Sequence, residues 1–161
     1  MLITFLRHAT AEDGCLSISD ADRALIDKGE KQIKRLAAFC LSKGLIPGSV
    51  YCSPLLRAQQ TARMLNQRLP GCPAPQTVNW LGIDTTSPAI LAELTKLAKQ
   101  NLDDVWLVGH EPNFSATVSR LLDTVSEKIV IKKASLTRLD ADFSSQASAK
   151  LLWSIPNSLM R

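Results

Sequence analysis

Histidine is scarce in this chain: only His8 and His110 occur among 161 residues. Cysteine is little commoner, at Cys15, Cys40, Cys52 and Cys72, and no two of these stand in a C-x-x-C pair. The usual zinc spacings are therefore excluded, and no metal or cofactor is expected. Cys40 and Cys52 fall on predicted apolar faces, where a thiol packs as a small hydrophobe. All four thiols are expected to be reduced, which predicts a cytoplasmic protein. Long hydrophobic runs are missing too. No window reaches the roughly 20 apolar residues of a membrane span. The run Leu2–Leu6 is too short for a signal peptide and has no basic residues before it. Nor is there a strong excess of one charge, since 19 Lys and Arg against 15 Asp and Glu give +4. The basic residues are scattered, with a pair at Lys132–Lys133. That pattern predicts a solvated mixed surface and neither a nucleic-acid nor a membrane partner. A mild positive bias still suits an anionic substrate.

What is present is an ordinary globular composition, with 45% hydrophobic and 21% charged residues, enough to build one core in one domain over 1–161. Apolar runs alternate with segments of helical period. Leu2–Leu6, Ser49–Cys52, Thr77–Leu81 and Val105–Val108 read as strands. Asp27 with Glu30 has capping-box spacing, and Ile33, Leu36, Ala37 and Cys40 then repeat on one helical face. Ser53–Pro54 and Ser87–Pro88 are helix-start signals. Another helix follows Pro112, with Phe114, Val118, Leu121 and Leu122 inward. Lys128–Lys132, Ser135–Asp140 and Lys150–Ile155 read as β segments. The alternation predicts an α/β fold, a three-layer αβα sandwich with a mostly parallel central sheet.

Ligands in such sheets bind beyond the carboxyl ends of the strands. Arg7 and His8 follow the first strand directly, Arg57 lies in the first turn of the helix after the second, and His110 follows the fourth. Both histidines and two arginines are thus predicted at one sheet edge. Paired guanidiniums grip phosphate through planar, bidentate forks. A neutral imidazole is a nucleophile near neutral pH when its second nitrogen is fixed by a hydrogen bond. Phosphoryl transfer asks mainly for alignment and charge stabilisation. Singly, each residue has a plainer reading as a loop or solvated side chain; their convergence points to phosphoryl chemistry.

The segment Leu6–Arg7–His8–Ala9 resembles the R-H-G/A signature of the histidine phosphatase (phosphoglycerate-mutase-like) superfamily. Ser53–Ala62, with Arg57, Ala58, Thr61 and Ala62 in place, resembles its S-x-x-x-R-A-x-x-T-A motif. Val108–Gly109–His110–Glu111–Pro112 resembles its third motif. Asp22–Arg23–Ala24–Leu25 before Lys28–Gly29 is similar to a D-R-P-L-T-x-x-G stretch of the SixA group, the small phosphohistidine phosphatases. Ala24 and Ile26 stand where that group often has Pro and Thr. The resemblance implies that His8 accepts the phosphoryl group and that Arg7, Arg57 and His110 bind and stabilise it. It further implies that Arg23 guides substrate and that the substrate is phosphohistidine in a protein. Larger members place a Glu or Asp near the third strand as general acid. Here that region reads Trp80–Leu81–Gly82–Ile83–Asp84, so Asp84 is the nearest candidate, with Glu12 a weaker one. A phosphohistidine leaving group needs less protonation than an alkoxide, so the missing Glu favours a phosphoramidate. A small-molecule phosphomonoesterase and a non-catalytic phosphate-recognition module are the competing readings.

Overall fold

The computed structural model describes residues 1–14, 16–17 and 19–161. The elements run β1 (Leu2–Arg7), α1 (Asp27–Ser42), β2 (Ser49–Cys52), α2 (Leu56–Arg68), β3 (Gln76–Thr77), α3 (Ser87–Lys99), β4 (Asp104–Gly109), α4 (Asn113–Leu121), β5 (Leu136–Asp142) and β6 (Ser148–Ile155), with short 3₁₀ turns between them. The six strands form one sheet in the order β3-β2-β4-β1-β5-β6. β1 to β4 pair in parallel, and β5 and β6 add an antiparallel edge. The expected mostly parallel αβα sandwich is the observed fold.

Side-chain alternation along the strands builds the two cores. Leu6, Val50, Cys52, Trp106 and Val108 meet the buried faces of α1 and α2. Ile3, Phe5, Val105 and Leu107 point the other way, onto Ile90 and Leu94 of α3 and Phe114 and Val118 of α4. On α1 the whole predicted apolar set, Ile33, Leu36, Ala37 and Cys40, is buried. Among the described residues, Cys40, Cys52 and Cys72 are free and buried; Cys15 lies outside them. No described helix is long and apolar enough to cross a membrane.

Four local expectations are corrected. Asp27 does not cap α1, because Ile26 is the extended N-cap residue and no side chain caps that end. A bridge between Ala11 and Leu25, with the Ile26 N–H donated to the Thr10 carbonyl at 3.2 Å, holds the chain extended up to that point. Ser53 does not cap α2 either, since the helix starts at Leu56 with Leu55 as N-cap. The third strand stops at Thr77 because its partner β2 stops at Cys52. After a last bond from the Val78 N–H to the Cys52 carbonyl at 2.9 Å, Asn79–Leu81 turns into a 3₁₀ helix. Finally, Lys128–Lys132 is not a strand. β4 and β5 already flank β1, so the segment crosses the end of β1 instead, where the Arg7 carbonyl accepts the Ala134 N–H at 3.0 Å.

Candidate active site

Register places the site. Arg7 at the end of β1 is level with Gly109 at the end of β4. The next bonds continue the ladder, with the His8 N–H donated to the Gly109 carbonyl and the Ser53 N–H to the Val108 carbonyl, both at 2.9 Å. His8, Ser53 and His110 therefore sit side by side just beyond the carboxyl ends of three parallel strands. The two imidazoles lie 5.0 Å apart between ring centroids.

The His8 ring is oriented by its own backbone. Nδ1 lies 2.8 Å from the Ala9 carbonyl oxygen. A carbonyl can only accept, so Nδ1 carries the proton and the neutral ring keeps its lone pair on Nε2. The Ala9 N–H is donated to Thr61 Oγ1 at 3.1 Å, and that hydroxyl is donated to the Arg57 carbonyl at 2.7 Å. Thus the threonine of the second motif locks the loop after β1 onto α2. Burial pushes the His8 pKa down to about 4, helped by the charges of Arg57, Arg7 and Lys133 and opposed by the Ala9 bond. Burial also pushes His110 down to about 3, with His8 and Arg57 adding to the shift and Asp20 opposing it. Both rings are neutral near pH 7.

His110 Nε2 shares a 2.7 Å hydrogen bond with Ser53 Oγ, while Nδ1 is buried without a partner. Ser53 therefore orients an imidazole instead of starting a helix. Arg57 is 1% exposed and pairs with Asp20, Nη2 reaching Oδ2 at 2.9 Å and Nη1 the backbone carbonyl. Arg7 Nη1 is donated to the Ile131 carbonyl at 2.9 Å. The Nε atoms of Arg7, Arg57 and Arg23 are buried and unpaired. Such donors cost stability unless something accepts from them, and two belong to the arginines whose charges act on His8. Trp106 Nε1 is also unpaired, and nothing in the site explains it.

Arg23 joins the cluster through Asp20, its Nη2 lying 2.7 Å from Oδ1, while its Nη1 holds the Glu12 carbonyl at 2.9 Å. Partial burial pushes the Asp20 carboxyl up, but the bond and charge of Arg57 and the charge of Arg23 outweigh it and hold it below the usual range. Asp84 is exposed and forms no hydrogen bond or ion pair with the site among the described residues. The nearby Asn113 amide binds the loop before it, at the Gly82 and Ile83 carbonyls. Glu12 accepts the Ala24 N–H at 2.9 Å. Glu111 is held at the start of α4 by the Ser115 N–H and hydroxyl. Burial raises its pKa, against the pull of Ser115 and Arg7. Among the described residues, no group of three or more His, Cys, Asp or Glu is placed to hold a metal ion.

Sequence reasoning placed Arg7, His8, Arg57 and His110 at one edge, and the structure brings them together. It missed Asp20, Thr61 and Ser53 as partners in the site. Thr61 and Ser53 stood in a recognised motif, whereas Asp20, 37 residues before Arg57, carried no signal.

Comparison with known proteins gives the family and the fold. The model of the histidine phosphatase superfamily (branch 1) matches residues 3–80. An uncharacterised protein from Picosynechococcus sp. is 36% identical over 113 residues, covering 70% of this chain and 68% of its own length. The structure of the protein histidine phosphatase SixA complexed with tungstate superposes with a TM-score of 0.89 over 100% of both chains, at 19% identity. A mycobacterial glucosyl-3-phosphoglycerate phosphatase with inorganic phosphate superposes at 0.75 over 98% of this chain and 99% of its own, at 17% identity. The chain belongs to the histidine phosphatase superfamily and is a phosphatase.

Proposed function

We propose that the protein hydrolyses phosphohistidine in a protein substrate, with His8 as the phosphoryl acceptor. His8 Nε2 attacks phosphorus in line, forming a new P–N bond. The substrate ring takes a proton from water on its far nitrogen; the bond between phosphorus and the near nitrogen then breaks, and its electron pair returns to that nitrogen, so that a neutral imidazole leaves. Water then attacks phospho-His8, releasing inorganic phosphate and returning the neutral ring. Arg7 and Arg57 hold the phosphoryl oxygens, and His110 completes the pocket. Arg23 steadies Arg57 through Asp20.

The observation carrying the substrate class is where the carboxyl groups go. Asp20 is held by two arginines, Glu111 by Ser115 and Glu12 by the Ala24 N–H, while Asp84 is exposed. A general acid contributes about 10²–10⁴ in rate when an alkoxide leaves. An imidazole leaves as a neutral base and forgoes little of that. SixA, a neighbour superposing over its full length, is a protein histidine phosphatase. The glucosyl-3-phosphoglycerate phosphatase neighbour sets the rival reading.

A panel comparing kcat/KM for a phosphohistidine-bearing protein domain with that for phosphomonoesters tests the proposal. A preference of about a hundredfold or more for phosphohistidine is expected, from the general-acid contribution above. Faster turnover of a sugar phosphate or of phosphoserine would reject it.

A further inference from the structure

The basic residues that look scattered in sequence converge in space. A cleft of about 1150 Å³ opens beside the site and shares Arg7 with it. One wall is the first half of α1, where Lys28, Lys31 and Arg35 follow at i, i+3 and i+7 and so share one helix face. The other wall is Lys132–Lys133, held there by the Arg7 bond to the Ile131 carbonyl and the Ala134 bond to the Arg7 carbonyl. Asp27 is the one acid lining it. The cleft's positive excess thus exceeds the +4 of the entire chain, leaving the remaining surface close to neutral. Among the described residues none of Lys28, Lys31, Arg35, Lys132 and Lys133 forms an ion pair.

Stability does not account for the arrangement. Lys28 sits in the first turn of α1, where the helix dipole favours acids. Like charges facing each other across a cleft repel, and the repulsion is relieved by an anion between them. The shape narrows the class of anion. Lys28 and Arg35 lie about 10 Å apart along the helix at 1.5 Å per residue, too far for a single phosphate to bridge. Ile26, which is 40% exposed, and Pro156 add apolar surface, and no aromatic ring lines the cleft to stack a base.

We propose that this cleft is a docking surface for an acidic protein segment, which seats the phosphoprotein while its phosphohistidine reaches His8. The proposal rests on the protein-substrate reading above. Docking is separated from chemistry, since Lys28, Lys31 and Lys132 stand outside the groups that hold the phosphoryl oxygens.

The test uses the full chain and the Lys28→Glu/Lys31→Glu/Lys132→Glu variant. All three side chains are exposed, and their charges oppose the helix dipole and one another, so a melting temperature equal to the wild type's or higher is expected. The single Lys132→Glu variant repeats the test on the second wall alone. Binding of a fluorescein-labelled Glu/Asp-rich peptide is read by anisotropy at low and physiological salt. In parallel, kcat/KM is measured on an acidic phosphohistidine protein and on free phosphohistidine. The expected results are salt-sensitive peptide binding weakened about tenfold or more in the triple variant, with KM for the protein raised to match. Turnover of free phosphohistidine stays unchanged. Absent peptide binding, binding indifferent to the variants, or tighter binding of an equally charged single-stranded RNA would overturn the docking surface. Wild-type protein that binds the peptide but hydrolyses neither substrate would overturn the phosphohistidine reading while leaving the cleft intact.

Discussion

Arg57→Ala is the substitution whose cost follows most directly from the geometry. The guanidinium is 1% exposed, bonded to Asp20 through both Nη atoms, with Nε buried and unpaired. Truncation removes a fixed positive charge from beside the phosphoryl oxygens. A charge-assisted hydrogen bond contributes about 1.5–3 kcal/mol, and about 1.4 kcal/mol is a factor of ten. Removing one preorganised oxyanion donor typically costs about 10²–10³ in kcat. A fall in kcat/KM of about a hundredfold is therefore expected, and at least tenfold. The fold should survive, because the Asp20 carboxyl is 51% exposed and keeps its bond to Arg23. Arg57→Lys retains the charge without the fork and should recover only part of the loss. Steady-state assays on one phosphohistidine substrate, with melting curves for each variant, decide the matter. A folded Arg57→Ala enzyme within threefold of wild type would refute the placement of this arginine on the phosphoryl group.

The neutral histidines predict that, in NMR titrations, the ring resonances of His8 move with a midpoint near 4, not at the ordinary 6.5. Because the folded value lies below the unfolded one, stability from this ring is complete above about 6.5 and declines as pH falls towards 4. A midpoint near 6.5 would contradict the burial and the neighbouring positive charges that hold this ring neutral. Gly29→Ala should lower the melting temperature by several degrees, since its Cβ would lie 2.1 Å from the Thr10 carbonyl oxygen. Overpacking of that kind costs about 1–3 kcal/mol, outweighing the helix propensity that alanine gains, and an unchanged melting temperature would contradict the close approach. Asp84→Asn should leave kcat/KM on phosphohistidine within twofold. A loss of a hundredfold would make Asp84 a general acid after all.

The parts of the fold decided by local patterning were legible in the chain. β1, β2 and β4 are apolar runs ended by polar residues, and α1 carries its core residues at helical spacing, so they could be read directly. Whatever depended on a partner elsewhere could not. Thr77–Leu81 has strand-like residues, but β2 ends too early to pair with them. Ser53 and Asp27 look like caps, yet the first serves His110 and the second follows a stretch held extended by the chain near Thr10. The four site residues were found because strand ends order them along one edge. Asp20 and the basic cleft were not, since each joins segments far apart in sequence.

The covalent intermediate is the most direct measure of the central claim. Mixing the protein with a labelled phosphohistidine substrate, quenching into alkaline denaturant where phosphohistidine survives, and mapping the label by mass spectrometry reads it out. The account predicts transient phosphate on His8 in the wild type and none in His8→Ala. Turnover of phosphohistidine with no label on His8, or His8→Ala retaining full activity, would contradict it.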